Sequence, residues 1–308
     1  MLLGAAATAA FVFLALFCRS TAPYKALPFQ FPWLVSLQRF SHWFKAWRHH
    51  CGGSIIDEEW IITTSRCLER WNTSDWRISL GRTNLSDPNE RGASYATPAE
   101  FYRYENYINN GESFDYGLVR LDTPLDFTYK HWNLAPIAMP TKTQLLQFEK
   151  KVCSFVGWGK SSLDETILQT VDMYVPLWSD CVKQIGPELK RRCNIDCMKT
   201  MLCAEKRSNV TLEAGDFGSP LMCRDHGRYT LAGMLSIYAP DVIVLFTRAS
   251  DGIRWMNQIR WHKPERTRPI RPARTQIAVD ERRKAKAGQT NRYRGHAEPI
   301  QPEPIRFG

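Results

Sequence analysis

Up to about residue 261 the chain is written in short apolar runs broken by Gly, Pro, Asn and Asp, and runs with helical period are few. This punctuation constrains the fold more than any other feature, because a short apolar run between turn residues reads as a strand. The runs at 33–38, 54–56, 60–64, 77–80, 117–121, 151–156, 170–175, 220–223, 230–236 and 242–247 predict an all-β chain built as a barrel or sandwich. One segment departs from the pattern. Residues 250–259 space Ile253, Trp255, Met256 and Ile259 as one face of a short helix. With 308 residues and 44% hydrophobic content, there is material for one large domain or two small ones with a full core.

The first residues form a separate unit. An apolar run from Leu2 to Phe17 is followed by Arg19, Ser20 and Thr21, and it is short for a membrane span of roughly 20 residues. Residues 1–22 therefore read as a cleaved signal peptide rather than an anchor, although no Lys or Arg precedes the run. No second apolar run of spanning length follows, so a secreted protein with no stable membrane span is expected. Of nine cysteines Cys18 falls at the end of this leader, and the remaining eight read as a disulfide framework for an oxidising compartment. Sequons at Asn72, Asn84 and Asn209 agree with secretory passage and mark glycosylation candidates.

Composition changes again after Trp261. Residues 262–308 carry twelve Lys or Arg against five Asp or Glu, a balance of +7 within the chain's +10, with frequent Pro and sparse large apolar residues. Such a segment cannot bury enough surface to offset its ordering entropy, and a disordered basic tail is expected. No internal repeat of fixed period is present.

Four motifs then narrow the fold. Phe31-Pro32-Trp33-Leu34-Val35-Ser36-Leu37, Cys51-Gly52-Gly53-Ser54-Ile55-Ile56, Phe155-Val156-Gly157-Trp158-Gly159 and Gly215-Asp216-Phe217-Gly218-Ser219-Pro220-Leu221 occur in this order. Their order and spacing resemble the trypsin-like (S1, chymotrypsin-fold) serine proteases, from about Phe31 to Trp261. The resemblance implies two six-stranded antiparallel β-barrels and a C-terminal helix, with residues 23–261 as the protease-homology domain. It also implies the disulfides Cys51–Cys67, Cys153–Cys223 and Cys181–Cys203. Cys193 and Cys197 are left over; they can bridge each other, and two reduced thiols or a zinc half-site are the alternatives. The family's fourth common bridge lacks both ends here, at Glu213 and in the stretch from Tyr238 to Asp241.

The catalytic positions depart from the family. Its chemistry needs a hydroxyl nucleophile, an imidazole base and a carboxylate that orients the base. Thr64-Ser65-Arg66-Cys67 stands where the family has Ala-Ala-His-Cys, so Arg66 replaces the base, and a guanidinium stays protonated at any working pH. Phe217 replaces the nucleophile. Asp115, in Phe114-Asp115-Tyr116-Gly117-Leu118, keeps the carboxylate. An Arg66–Asp115 ion pair is expected to satisfy it; the alternative is hydrogen bonding to backbone alone. One oxyanion donor would be the backbone N–H of Phe217, whose ring should occupy the space of the substrate carbonyl.

The resemblance also locates a degenerate specificity pocket at Thr211, Ser236 and Tyr238. Thr211 brings no charge to its base, and Tyr238 should fill its mouth. The family's activating Ile-Val-Gly-Gly terminus has no counterpart between Tyr24 and Gln30. Asp216 thus lacks its usual amine, and a zymogen-like contact with His49 is expected. His42, His49 and His50 cluster near the N-terminal side, and a His49–His50 metal site is set aside because the zymogen-like contact accounts for His49, so no metal and no cofactor is expected.

The resulting expectation is a non-catalytic, secreted protease homologue that binds another protein or regulates one. The alternative function is polyanion binding, to a glycosaminoglycan or an anionic membrane, through the tail at Arg282-Arg283-Lys284-Ala285-Lys286. Nucleic acid is not an expected partner of an exported protein. An enzyme of unrelated mechanism finds no complete nucleophile and base in the sequence.

Overall fold

A computed structural model describes residues 23–261 except 69–71, 106, 108–112, 141–147, 160–166, 194, 209–210 and 239–242. The signal-peptide and tail assignments therefore lie outside the described residues. The chain divides into a unit ending at Arg260 and a second from Trp261 onward, and every described strand lies in the first.

Fourteen described strands run in chain order: β1 Tyr24–Lys25, β2 Leu34–Ser41, β3 Ala46–Ile55, β4 Trp60–Thr63, β5 Trp76–Leu80, β6 Ser94–Ala96, β7 Pro98–Arg103, β8 Gly117–Leu121, β9 Lys151–Gly157, β10 Gln169–Val175, β11 Met201–Lys206, β12 Pro220–Asp225, β13 Arg228–Ile237 and β14 Ile243–Arg248. Helices are α1 Trp178–Gln184, α2 Pro187–Arg192, α3 Ile195–Lys199 and α4 Ala249–Trp261. The protein is mostly β with a C-terminal helix, as the strand punctuation implies. No described helix is long and apolar enough to cross a membrane.

The strands form two antiparallel sheets. The first runs β6-β5-β2-β3-β4-β8-β7. The second runs β1-β10-β11-β14-β13-β12-β9, and pairing of β9 with β10 closes six of its strands into a barrel. The first sheet has seven strand segments rather than six. The difference lies at Thr97, where one stretch breaks in two: β6 pairs with β5 and β7 with β8. Pro98 has no N–H to continue a ladder, and the register slips between Pro98 and Glu100. The stretch thus changes partners at Thr97 and links the two edges of a half-barrel.

Alternation along the strands sets the cores. Leu34, Val35, Leu37, Ile61, Ile62, Ile78 and Leu80 are buried in the first sheet; Val171, Met173, Leu221, Leu235, Val244 and Phe246 fill the second. Phe217 packs against both clusters, so position 217 lies on the seam between the two cores. Four disulfides pin the frame: Cys51–Cys67, Cys153–Cys223, Cys181–Cys203 and Cys193–Cys197. The last joins the end of α2 to α3 in the helical insert 178–199, whose helices are too short to show an apolar period.

Candidate functional site

The site grows from three turns that meet at the seam. The first is a 3₁₀ turn, Ser65–Leu68, that follows β4. Cys67 ties it to β3, and Ser65 Oγ donates to the Tyr116 carbonyl at 2.6 Å. These two anchors fix the intervening Arg66. The second turn carries Asp115 just ahead of β8. Phe114 adopts φ of 56°, a left-handed conformation that is rare for a bulky residue, and its ring stacks on Tyr104 with centroids 5.1 Å apart. Asp115 is thereby turned inward, with no exposed surface.

Arg66 and Asp115 meet. The Arg66 Nε donates to Asp115 Oδ2 at 2.9 Å, and the Arg66 backbone N–H donates to Oδ1 at 3.0 Å. Ser236 Oγ, on β13, donates to Oδ2 at 2.7 Å. Burial pushes the Asp115 carboxyl above its ordinary range, and the guanidinium and these donors pull against that rise. The bridge is half of a sandwich. The Arg66 guanidinium also lies 4.5 Å from the Phe217 ring centroid, within cation–π range. Phe217 in turn lies 5.3 Å from the Tyr238 ring. Asp115, Arg66, Phe217 and Tyr238 thus form one chain of contacts across the seam.

The third turn, Ala214–Asp216, presents Phe217. The Phe217 N–H, expected as an oxyanion donor, is directed at the Ala214 carbonyl at 3.3 Å. The Phe217 carbonyl accepts from Gly52 N–H at 2.8 Å, and Gly218 N–H donates to the Leu235 carbonyl at 3.0 Å. Gly218 has φ of +76°, and a Cβ there would lie 2.2 Å from Thr63 Oγ1, so the turn admits only glycine.

The expected contact between His49 and Asp216 is not formed. His49 Nε2 donates instead to the Gly215 carbonyl at 2.8 Å, leaving Nδ1 to accept from the buried Ser36 hydroxyl at 2.7 Å. That arrangement fixes the neutral Nε2–H tautomer. Both nitrogens are spent on neutral partners, and the ring packs edge-on to Trp158 with centroids 5.5 Å apart. Burial lowers the imidazole pKa to about 4. Asp216 faces the other way. Its Oδ1 accepts from Gly159 N–H at 2.8 Å and its Oδ2 from Glu213 N–H at 3.1 Å. A Cβ on Gly159 would lie 1.7 Å from Oδ2, which accounts for the second glycine of the Gly-Trp-Gly turn. Burial raises the Asp216 pKa to about 6, the two N–H donors opposing. The two side chains therefore miss each other by taking main-chain partners: the histidine bonds a carbonyl, and the acid bonds N–H groups.

The expected specificity pocket is also rearranged. Thr211 is exposed and borders a small cavity with Pro23, Gly159, Gln169 and Asp216. Ser236 is buried on Asp115, and Tyr238 lies on Phe217. Asn72 is exposed and caps a 3₁₀ turn, whereas Asn84 is half-buried with its side chain accepting from Ser86. Asn209 lies outside the described residues. Among the described residues, no group of three or more His, Cys, Asp or Glu could hold a metal ion.

The model of the trypsin family matches residues 23–255. This chain belongs to the trypsin-like S1 serine protease family. Among curated proteins it is 28% identical over 244 residues to chymotrypsin-C of Rattus norvegicus, covering 76% of this chain and 85% of that protein. It is 27% identical over 255 residues to chymotrypsin-C of Bos taurus, with the same coverages. At the seam the constellation offers a buried carboxylate bonded to a cation, with an aromatic ring stacked on that cation.

Proposed function

We propose that this chain is a secreted, non-catalytic member of its family that binds or regulates another protein. The observation that carries the reading is the Asp115–Arg66–Phe217 stack. A benzyl side chain has no atom that can attack a carbonyl. A guanidinium held at 2.9 Å by a buried carboxylate has no lone pair with which to take a proton. In a worked protease case, loss of either group costs on the order of 10⁶ in turnover. The ordered 3₁₀ turn, with its N–H directed at Ala214, also lacks a free oxyanion donor at position 217. Four disulfides and the apolar leader support passage through an oxidising export pathway.

A broad fluorogenic peptide library tests the reading, with purified protein beside an Arg66→His, Phe217→Ser double variant. No hydrolysis by the unmodified protein is expected. Turnover above the blank that co-purifies with the chain would overturn it. A second reading is favoured by one separate observation, the +7 balance of residues 262–308. Clustered cations there suit a polyanion. Retention on heparin that is lost on deleting 262–308 is the outcome expected of it, and no retention of the full chain rejects it.

A further inference from the structure

The distal end of the hairpin formed by β2 and β3, residues 40–48, extends beyond the pairing with β5 and takes no part in the site above. Its tip is the turn His42-Trp43-Phe44-Lys45 between the paired Ser41 and Ala46. Lys45 takes a left-handed φ of 50°, and Phe44 N–H is steadied by Ser41 Oγ at 3.3 Å. Hydrophobic burial would turn such a tip inward, yet Trp43 is 88% and Phe44 61% exposed. Two adjacent large aromatics at this exposure are apolar surface presented to something else.

The charge around the tip narrows what that is. From residue 34 to residue 56 there is no Asp or Glu, while Arg39, Lys45 and Arg48 lie on the hairpin. Arg48 sits 4.5 Å over the Phe44 ring, and Arg77 of β5 sits 4.7 Å over Trp47. Among the described residues, the acid that approaches the hairpin is Asp75, 3.8 Å from His42 Nε2. Behind the tip lies a cavity of about 360 Å³ lined by Arg39, Phe40, His42, Trp43, Arg48 and His50. The hairpin thus combines an apolar aromatic apex, a collar of cations and a basic recess.

We propose that the 39–50 hairpin docks the protein on an anionic phospholipid surface, Trp43 and Phe44 entering the interface and Lys45 and Arg48 meeting headgroup phosphates. Tryptophan is favoured at the membrane–water boundary, and basic residues beside apolar ones are what an anionic leaflet attracts. A sulfated polysaccharide would reward the cations and leave the aromatic apex exposed to water, so the lipid surface is the better match. The proposal does not depend on whether the chain is catalytic.

The test is cosedimentation of the full chain with vesicles of phosphatidylcholine, with and without phosphatidylserine, and quenching of tryptophan emission by brominated lipid. Binding only to the phosphatidylserine vesicles, with quenching, is expected. Trp43→Ser with Phe44→Ser should weaken binding about ten-fold or more and remove the quenching. Lys45→Gln with Arg48→Gln should weaken it about 25-fold, at about five-fold per cation near an anionic surface. All four residues are exposed, so the thermal midpoint should not move. Undiminished binding by the Trp43/Phe44 variant would assign the contact to another segment, the basic tail included, and overturn the proposal. So would failure of the full chain to bind the vesicles, or capture by soluble heparin without binding to vesicles.

Discussion

Two buried carboxylates, Asp115 and Asp216, lie within one domain, and the molecule treats them in opposite ways. Both are nearly or fully out of solvent. Asp115 receives a guanidinium, a hydroxyl and an N–H; Asp216 receives two backbone N–H groups, and no ion pair reaches it among the described residues. Its neighbour His49 is neutral and bonded elsewhere. The first carboxylate belongs to a fixed ion pair. The second is a group whose charge is left to the solvent pH, with burial setting the midpoint at about 6. Burial alone therefore does not decide a carboxylate's role; the charge placed beside it does.

The strongest break in this comparison removes the cation. Arg66→Ala should cost about 3–5 kcal/mol in urea unfolding, because it strands the Asp115 charge in the interior. Adding Asp115→Asn should recover much of that loss. If Arg66→Ala leaves stability unchanged, the two carboxylates are equivalent and the contrast fails.

The second test uses pH. Asp216 has its folded pKa raised from 3.8 to about 6, so the folded state holds the proton longer and its contribution to stability falls as pH rises through that window. His49 has its folded pKa lowered from 6.5 to about 4, so its contribution rises with pH from about 4 to 6.5. The two slopes oppose each other over almost the same range. Each is worth on the order of 3 kcal/mol across its window. His49→Gln should therefore lose stability, relative to the parent, as pH climbs from about 4 to 6.5. Asp216→Asn should show the reverse. Parallel pH profiles for the parent and both variants would remove the titrating character assigned to this pair.

Smaller effects sharpen the Asp115 side. Ser236→Ala removes a hydrogen bond to a charged acceptor and should cost about 2 kcal/mol by the same unfolding measurement. Phe217→Ala removes the ring beneath Arg66 and should cost about 1 kcal/mol beyond its packing loss, resolved by a double-mutant cycle with Arg66→Met.

The legible parts of the fold are those where a period of two coincides with burial. Strands β2, β5, β8, β10 and β13 announce themselves by alternating or continuous apolar runs with Val, Ile and Leu. The segments without such a signal have physical reasons. In β1 two residues pair with β10, too few to show a period. In β7 the run opens on Pro98 and faces partly outward at a break in the ladder. Strand β11 mixes Met, Leu, Cys, Ala, Glu and Lys, and its two faces are buried in different clusters, Leu202 and Ala204 in the core of the second sheet and Met201 and Cys203 against the helical insert. The helices of 178–199 span five to seven residues, less than two turns of apolar period, and are held by Cys181–Cys203 and Cys193–Cys197.

In the site, the Arg66–Asp115 contact follows from charge and position. The His49 pairing does not, because its partner is a main-chain carbonyl. Every residue owns one, so no letter of the sequence marks Gly215 as the acceptor. For the same reason spacing does not reveal the small cavity that takes Thr211 beside Pro23.

The frame around position 217 is drawn by residues other than 217. Its carbonyl is held by Gly52, the next N–H by Leu235, and the turn by the left-handed Gly218, while its side chain takes no part in those bonds. The position is a socket. Exchanging its occupant forfeits the ring's packing on the two cores and on Arg66, while the main-chain bonds that shape the turn remain available to any side chain.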